Sequence, residues 1–275
     1  MSRNRVIIAA AVALVVVVGL GVWLYNQVLG DTEAASGPIT AVPLATQPPA
    51  ATDAPAAAAT ATPESVATAA PAAEAAAPAA TAEAAAPAGS GVAPNTQLRY
   101  RIVPEESKVS FTLSEELRGQ PVQVVGESNQ VAGELAVNPS DLATAQVGVV
   151  QVNARTFATD SGQRDRAIRN FILSTDSYEF ITFTPKEIQG LSGSGATGQP
   201  FTFKIAGDLT IRDVTRPAVF DATVQAESAE RLTGSATAVV NRSDFNLTIP
   251  NVPFVANVGE QVTLAIDFVA APVAE

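Results

Sequence analysis

The feature that most constrains this chain is a set of short apolar and polar alternations that begins after residue 95. One run places Val109, Phe111 and Leu113 between serine and threonine residues, and residues 262–268 repeat the pattern near the C-terminus. Alternate side chains of a β-strand point to opposite faces, so each run predicts a strand with one buried face. Eight or more such strands in one domain are typical of a sandwich or a closed barrel.

The composition changes at the same boundary. All eleven phenylalanines lie at or beyond Phe111, whereas residues 31–94 consist mainly of Ala, Pro and Thr with scattered Glu. A segment of that composition cannot bury a core, and its recurring prolines favour an extended chain. We predict a disordered linker over residues 31–94 and one β domain over residues 95–275, whose length of about 180 residues is sufficient for a core.

A second apolar segment lies at the N-terminus, from Val6 to Tyr25. About 20 uncharged residues in a helix reach about 30 Å, the thickness of the hydrocarbon core of a bilayer. Arg3 and Arg5 precede the segment, so the N-terminus is expected in the cytoplasm and the domain outside it. We expect a retained transmembrane anchor within residues 1–30. The alternative is a cleaved signal peptide, whose apolar part is normally about 7 to 15 residues long.

The composition also excludes several kinds of chemistry. The sequence contains no histidine and no cysteine, which removes Ser-His-Asp and Cys-His catalysis, histidine or thiolate metal sites, and disulfides. The net charge of −11, without a basic face, argues against nucleic acid as a partner. Any catalysis would have to use carboxylates, serine or threonine, tyrosine, or the three lysines Lys108, Lys186 and Lys204. We expect no catalytic residue, no metal and no other cofactor. The sequence does not determine the oligomeric state.

Five stretches carry a resemblance to a known family. They are QLRYRIVPEESKVSFTL (97–113), NARTFATDSGQRDRAIRNFILSTDSYEFITF (153–183), GDLTIRDVTRP (207–217), NRSDFNL (241–247) and VGEQVTLAIDF (258–268). In this order they resemble the YceI-like family of lipid-binding proteins. The resemblance implies an all-β fold, an eight-stranded antiparallel lipocalin-like barrel with a short helix at its mouth. It also implies a polyisoprenoid or other long amphipathic lipid as the ligand, and a periplasmic or secreted location.

Within the β domain, the stretch SGQRDRAIRNF, residues 161–171, carries the only convincing helical pattern. Its apolar residues recur at spacings of three and four, and either Ser161 or Asp160 can cap its N-terminus. Neighbouring arginines favour the ionised form of Asp165, which argues against an acid–base site. We interpret the stretch as a helix that covers the mouth of the barrel, with arginines that face outward or pair locally. The expected mouth residues are Arg164, Arg166, Ile168 and Phe171.

The barrel interior is the expected binding site. An eight-stranded barrel is just wide enough to be filled by side chains or to hold one slender ligand. An isoprenoid chain needs only apolar walls, because its transfer from water is worth roughly 25 cal/mol per Å² buried. The expected pocket residues are Phe111, Leu113, Phe183, Phe201, Phe203, Phe220 and Phe245.

These expectations combine into one functional prediction. The protein is expected to be a membrane-tethered extracytoplasmic binding protein, in contact with the membrane through its N-terminal helix and with no enzymatic activity. The alternative is a structural or adhesive domain of the cell envelope with a filled core and no ligand. We also expect Arg242 and Asp244 to form an ion pair that fixes a turn of the barrel.

Overall fold

The computed structural model describes residues 33–44 and 97–273, and these two ranges pack together. The predicted anchor over residues 6–25 and the linker residues 45–94 lie outside the described part. Within residues 33–44 and 97–273, no helix is long and apolar enough to cross a membrane.

Antiparallel strands dominate the described residues. The first seven are β1 (Leu98–Ile102), β2 (Lys108–Leu117), β3 (Gln120–Ser128), β4 (Val131–Ala132), β5 (Glu134–Val137), β6 (Gln146–Val147) and β7 (Val150–Asn153). The remaining six are β8 (Phe180–Gln189), β9 (Pro200–Ile211), β10 (Val214–Ser228), β11 (Arg231–Asn241), β12 (Val255–Ala256) and β13 (Gln261–Pro272). All thirteen belong to one sheet.

The sheet curls on itself. Its strands are paired in the order β4-β7-β8-β9-β10-β11-β13-β1-β5-β6, while β2 pairs with β13, β3 and β12. Since only Gly133 separates β4, at one end of this order, from β5, the strand next to the other end, the order closes along the chain. The result is an antiparallel barrel, which confirms the predicted all-β class.

The predicted count of eight strands is wrong, because several passes of the chain around the barrel are interrupted. Strands β1 and β2 both pair with β13, but residues 103–107 separate them and include a 3₁₀ turn, Pro104–Glu106. Proline at the start of that turn cannot donate to a strand ladder. Gly133 divides another pass in the same way, between β4 and β5.

A single short helix crosses the barrel end, where the sequence predicts one. Helix α1 (Gly162–Ala167) is capped by Ser161, whose hydroxyl accepts from the Arg164 N–H, and a π-helical turn follows over Ile168–Ile172. The Leu173 N–H donates to the Ile168 carbonyl at 2.8 Å, which is the wider spacing of a π turn. The other helical turns are 3₁₀: Leu142–Thr144, Ala154–Thr156 and Arg242–Phe245.

Gly126 leaves room for the Phe111 ring on the inner face of the barrel. Gly126 on β3 pairs with Phe111 on β2, and a Cβ atom at Gly126 would lie only 2.2 Å from Phe111 Cε1. No side chain larger than hydrogen fits there without moving the ring. The sequence therefore places a large and a minimal side chain opposite each other, which shapes the interior.

Candidate functional site

Three cavities follow one another inside the barrel. The mouth cavity, of about 530 Å³, lies beneath helix α1; the middle cavity measures about 150 Å³ and the far cavity about 290 Å³. The mouth and middle cavities share Phe157, Ile181, Ile211 and Leu264 in their walls, and the middle and far cavities share Leu135, Val147, Phe203 and Val224. The interior is thus a row of apolar spaces separated by side chains.

All seven predicted pocket residues lie on the walls of this row. Phe111, Leu113 and Phe245 line the mouth cavity; Phe183 and Phe220 line the middle cavity; Phe203 lines the middle and far cavities; and Phe201 lines the far cavity. They share inward-facing positions because each belongs to an alternating run or to the turn that follows one. They do not form one compact pocket.

Aromatic contacts narrow the row at two places. The rings of Phe111 and Phe157 meet edge to face with centroids 5.3 Å apart, and those of Phe183 and Phe220 meet with centroids 4.7 Å apart. Phe157 also lies between the mouth and middle cavities. Its isolated place in the sequence, outside any alternating run, gave no signal of this position.

The mouth carries a charged group that faces the apolar space. The Glu115 side chain is only 7% exposed, and the Arg164 Nη2 atom lies 2.8 Å from its Oε1 atom. Arg164 also pairs with Asp160, one helical turn before it. One of the helix arginines therefore turns toward the cavity instead of facing outward, and it neutralises a buried carboxylate.

The predicted mouth residues divide into two pairs. Arg164 and Ile168 line the mouth cavity, whereas Arg166 and Phe171 are absent from its lining, and Phe171 is an exposed side chain. The expected pair between Arg242 and Asp244 is not formed. Arg242 lies 3.2 Å from Glu260 instead, and Asp244 accepts from the Asn241 amide.

A loop between β11 and β13 completes the rim of the mouth cavity, and the sequence analysis missed it. We call residues 249–255 the mouth loop; their sequence is IPNVPFV, and six of the seven line the cavity. The segment shows no regular alternation because its two prolines have no N–H to donate to a ladder, and only Val255, at the start of β12, pairs with β2. The combination of two prolines with large apolar residues is the sequence feature that could have indicated a loop at the cavity rim.

A segment from the start of the predicted linker also lies against the barrel. We call residues 33–44 the strap; they have no regular secondary structure. Its hydrogen bonds to the barrel include Glu33 N to Asp176 Oδ1 (2.9 Å), Ser36 N and Oγ to Glu179 Oε1 (2.8 and 2.9 Å), Arg155 Nη1 to Ala34 O (2.9 Å), Arg155 Nη2 to Glu33 Oε2 (3.2 Å), Ile39 N to Gln130 Oε1 (3.4 Å), and Leu44 N to Glu134 Oε2 (2.8 Å). The strap therefore crosses the barrel wall from the α1 end toward β5.

The strap covers two carboxylates with lowered pKa values. Burial raises the pKa of Glu134, but hydrogen bonds from the Leu44 N–H and Arg101, with the charges of Arg101 and Arg99, outweigh it and lower this pKa. Burial likewise raises the pKa of Glu179, and donors from Ser36 and Asn153 with the charge of Arg155 lower it overall. Both carboxylates are thus held ionised by groups that include the strap.

Residues 100–270 match the YceI-like domain. The chain belongs to the YceI-like family. This assignment covers most of the barrel and agrees with the resemblance carried by the five sequence stretches. A search of curated proteins finds no match to the chain.

Solved structures with a similar fold include three bacterial proteins. A polyisoprenoid binding domain from Saccharophagus degradans, implicated in plant cell wall breakdown, is 14% identical with a TM-score of 0.50, over 64% of this chain and 99% of that one. BcnA of Burkholderia cenocepacia is 18% identical with a TM-score of 0.49, over 62% and 99%. The YCEI protein of Campylobacter jejuni is 20% identical with a TM-score of 0.44, over 55% and 85%. The first of these likenesses shows that the YceI-like domain of this chain shares that fold.

Proposed function

We propose that this protein is a membrane-tethered extracytoplasmic binding protein that holds a long amphipathic lipid of the polyisoprenoid class inside its barrel. The observation that carries the proposal is the row of three apolar cavities. A row is the shape that a long, slender chain requires, whereas a compact ligand would need one rounded space.

The chemistry of the walls supports a lipid tail rather than a polar ligand. The middle cavity is lined almost entirely by aliphatic and phenylalanine side chains, and the charged groups Glu115, Arg164 and Arg118 gather at the mouth. An apolar chain gains roughly 25 cal/mol per Å² from burial in such walls, while its polar head stays at the charged end. The domain of Saccharophagus degradans with this fold is described as polyisoprenoid binding, which supports the same ligand class here.

The tether and the location rest on sequence features. Residues 6–25 form an uncharged apolar run preceded by Arg3 and Arg5, which is typical of a single membrane span with its N-terminus in the cytoplasm. We place the barrel on the extracytoplasmic side, periplasmic or at the cell surface. We assign it binding without catalysis, because the walls offer apolar contact and the mouth carboxylate Glu115 is neutralised by Arg164.

A filled barrel with a structural or adhesive role is the second candidate. The observation that favours it is the narrow middle cavity, where the Phe183 and Phe220 rings meet. In that case the mouth and far cavities would be separate surface hollows, and no long chain would pass between them.

Native mass spectrometry of the full chain, purified from membranes in mild detergent, separates the two candidates. We expect a mass adduct that organic extraction identifies as a long-chain lipid. A chain that carries no adduct and takes up no added polyprenol would contradict lipid binding and favour the filled barrel.

A further inference from the structure

The mouth loop presents an exposed apolar tip. Phe254 is 72% exposed and Val252 is 39% exposed. The backbone of Phe254 is in the left-handed region, with φ at 69°, and its carbonyl accepts from the Arg118 N–H at 2.8 Å. A phenylalanine in this conformation is strained, and the hydrogen bond from the β2–β3 turn holds the backbone in it.

The same loop is continuous with the apolar interior. Ile249, Val252 and Phe254 are all part of the mouth-cavity wall, so the exposed apolar surface of the loop is continuous with the enclosed one, and Asn251 is the polar residue of the tip. Pro250 and Pro253 have no backbone N–H, and the Val255 N–H already donates to the Val252 carbonyl. Three of the seven backbone positions therefore lose no water if the tip enters an apolar phase, where each unsatisfied group is costly.

Arg118 gives the tip a charge suited to the surface of a bilayer. Its guanidinium lies 5.8 Å from the centroid of the Phe254 ring, and it forms no ion pair with a carboxylate in the described part of the chain. An arginine beside an exposed aromatic ring can keep its charge at the phosphate level while the ring reaches the acyl chains. The net charge of −11 disfavours a strongly anionic membrane, so the matching surface is rich in zwitterionic phospholipid.

The strap supplies an independent argument that the mouth of the barrel faces the membrane. The Glu33 N–H donates to Asp176, which lies three residues beyond Leu173 in the wall of the mouth cavity. The predicted membrane span ends at Tyr25, and residues 26–32 can reach at most about 25 Å. The chain therefore leaves the domain near its mouth, and close to the membrane that the anchor would occupy.

We propose that the mouth loop is a membrane-contact surface, and that the strap keeps it at a bilayer of zwitterionic phospholipid. The contact rests on the proposed tether for its location. It gives a lipid an apolar path from the bilayer to the mouth cavity across Phe254 and Val252.

The absence of cysteine makes a direct test possible with the full chain. Val252→Cys and, as the matched control, Val219→Cys each introduce one thiol for a fluorophore; Val219 is an exposed valine on the outer face of β10. Each labelled chain is reconstituted in phosphatidylcholine vesicles that contain phosphatidylcholine with a nitroxide on the upper acyl chain. We expect strong quenching at position 252 and little at position 219. Equal quenching at the two positions overturns the proposal. So does a disulfide between two unlabelled Val252→Cys chains when the labelled chain shows no quenching.

The role of the strap is tested by releasing it in the chain that carries Val252→Cys. Glu33→Pro, Ser36→Pro and Leu44→Pro together remove three N–H donors to the barrel, among them the donor to Asp176 that fixes the exit point, and Ala58→Pro in the linker is the control. Release lengthens the tether from about 7 to about 70 residues, which lowers the effective concentration of the tip at the bilayer about thirty-fold. We expect quenching to fall sharply in the strap variant alone. Unchanged quenching shows that the strap does not hold the tip at the bilayer.

Two further readouts separate failure of this proposal from failure of the proposed function. If alkaline carbonate washes the chain from the vesicles, both the tether and the contact fail. If the chain is retained and carries lipid but shows equal quenching, the membrane contact alone is wrong.

Discussion

Leu113 is a position at which one substitution can distinguish an open barrel from a filled one. It is half-buried on β2 and faces the mouth cavity. Leu113→Trp should occupy that space and lower the yield of bound lipid by several-fold, with a small change in the free energy of unfolding. In a filled barrel the same change would overpack the core and cost about 1 to 3 kcal/mol. Lipid extraction and denaturant unfolding measure the two effects.

Val219→Trp is the control for this substitution, because Val219 is 48% exposed on the outer wall. It should alter neither quantity. Strong destabilisation by Leu113→Trp, together with a parent protein free of lipid, would contradict the open barrel.

Gly126 offers a second prediction at this scale. Gly126→Ala places a methyl group against the Phe111 ring, which must shift toward the mouth cavity or strain the wall. We expect a loss of about 1 to 3 kcal/mol in the free energy of unfolding and weaker lipid binding. Gly162→Ala is the matched control, since its Cβ would meet no atom within 4 Å. Equal effects of the two substitutions in urea unfolding would show that the Phe111 contact is unimportant.

Single residues also show where sequence analysis succeeded and failed. The alternating runs placed Phe201 and Phe203 on the inner wall, because a two-residue period carries that information directly. Pairing between charged residues carries no such period. Arg242 therefore found Glu260, which the fold brings from another loop, instead of its sequence neighbour Asp244.

At the scale of elements, the strap should respond to pH. The strap donates hydrogen bonds to Glu134 and Glu179 of the barrel, and the pKa values of both carboxyl groups are lowered. Both carboxylates therefore stabilise the fold fully above their ordinary pKa of 4.5. That contribution is lost as the pH falls below 4.5 and through the lowered values. We expect the melting temperature to fall between about pH 5 and pH 3, and to fall less in Glu179→Gln. Thermal unfolding at several pH values measures this.

Glu105→Gln is the control for the pH experiment, because Glu105 is exposed on the 3₁₀ turn between β1 and β2. It should leave the pH dependence of the parent unchanged. If Glu179→Gln also retains the full dependence, the carboxylate at 179 does not contribute to the acid sensitivity.

The elements themselves were predictable to different degrees. The long strands β8 to β11 and β13 follow their alternating runs, and helix α1 follows its cap and its apolar spacing. The strap was assigned to the linker because it contacts the barrel through backbone N–H groups and a few side chains. Such contacts depend on a groove built by distant residues, and they leave no period in the strap sequence.

For the whole molecule, the residues that flank 45–96 both contact β5. Leu44 and Arg101 of β1 both bond the carboxylate of Glu134. Deletion of residues 50–90 should therefore leave the melting temperature of the full chain unchanged or slightly raised, because a shorter loop costs about 1 kcal/mol less entropy to close. Deletion of residues 34–90, which includes the strap, should lower it. Differential scanning calorimetry compares the two; a large drop in the first variant would show that residues 50–90 support the barrel.

The row of cavities also affects the rate at which a bound lipid would be released. A chain threaded past Phe157 and past the Phe183–Phe220 contact cannot leave in one step, because its tail must withdraw through each constriction before the lipid is released. Residence time in such a barrel grows with the length of the tail, even among lipids that enter at the same rate. Selectivity between short and long chains would then be expressed in how slowly they are released.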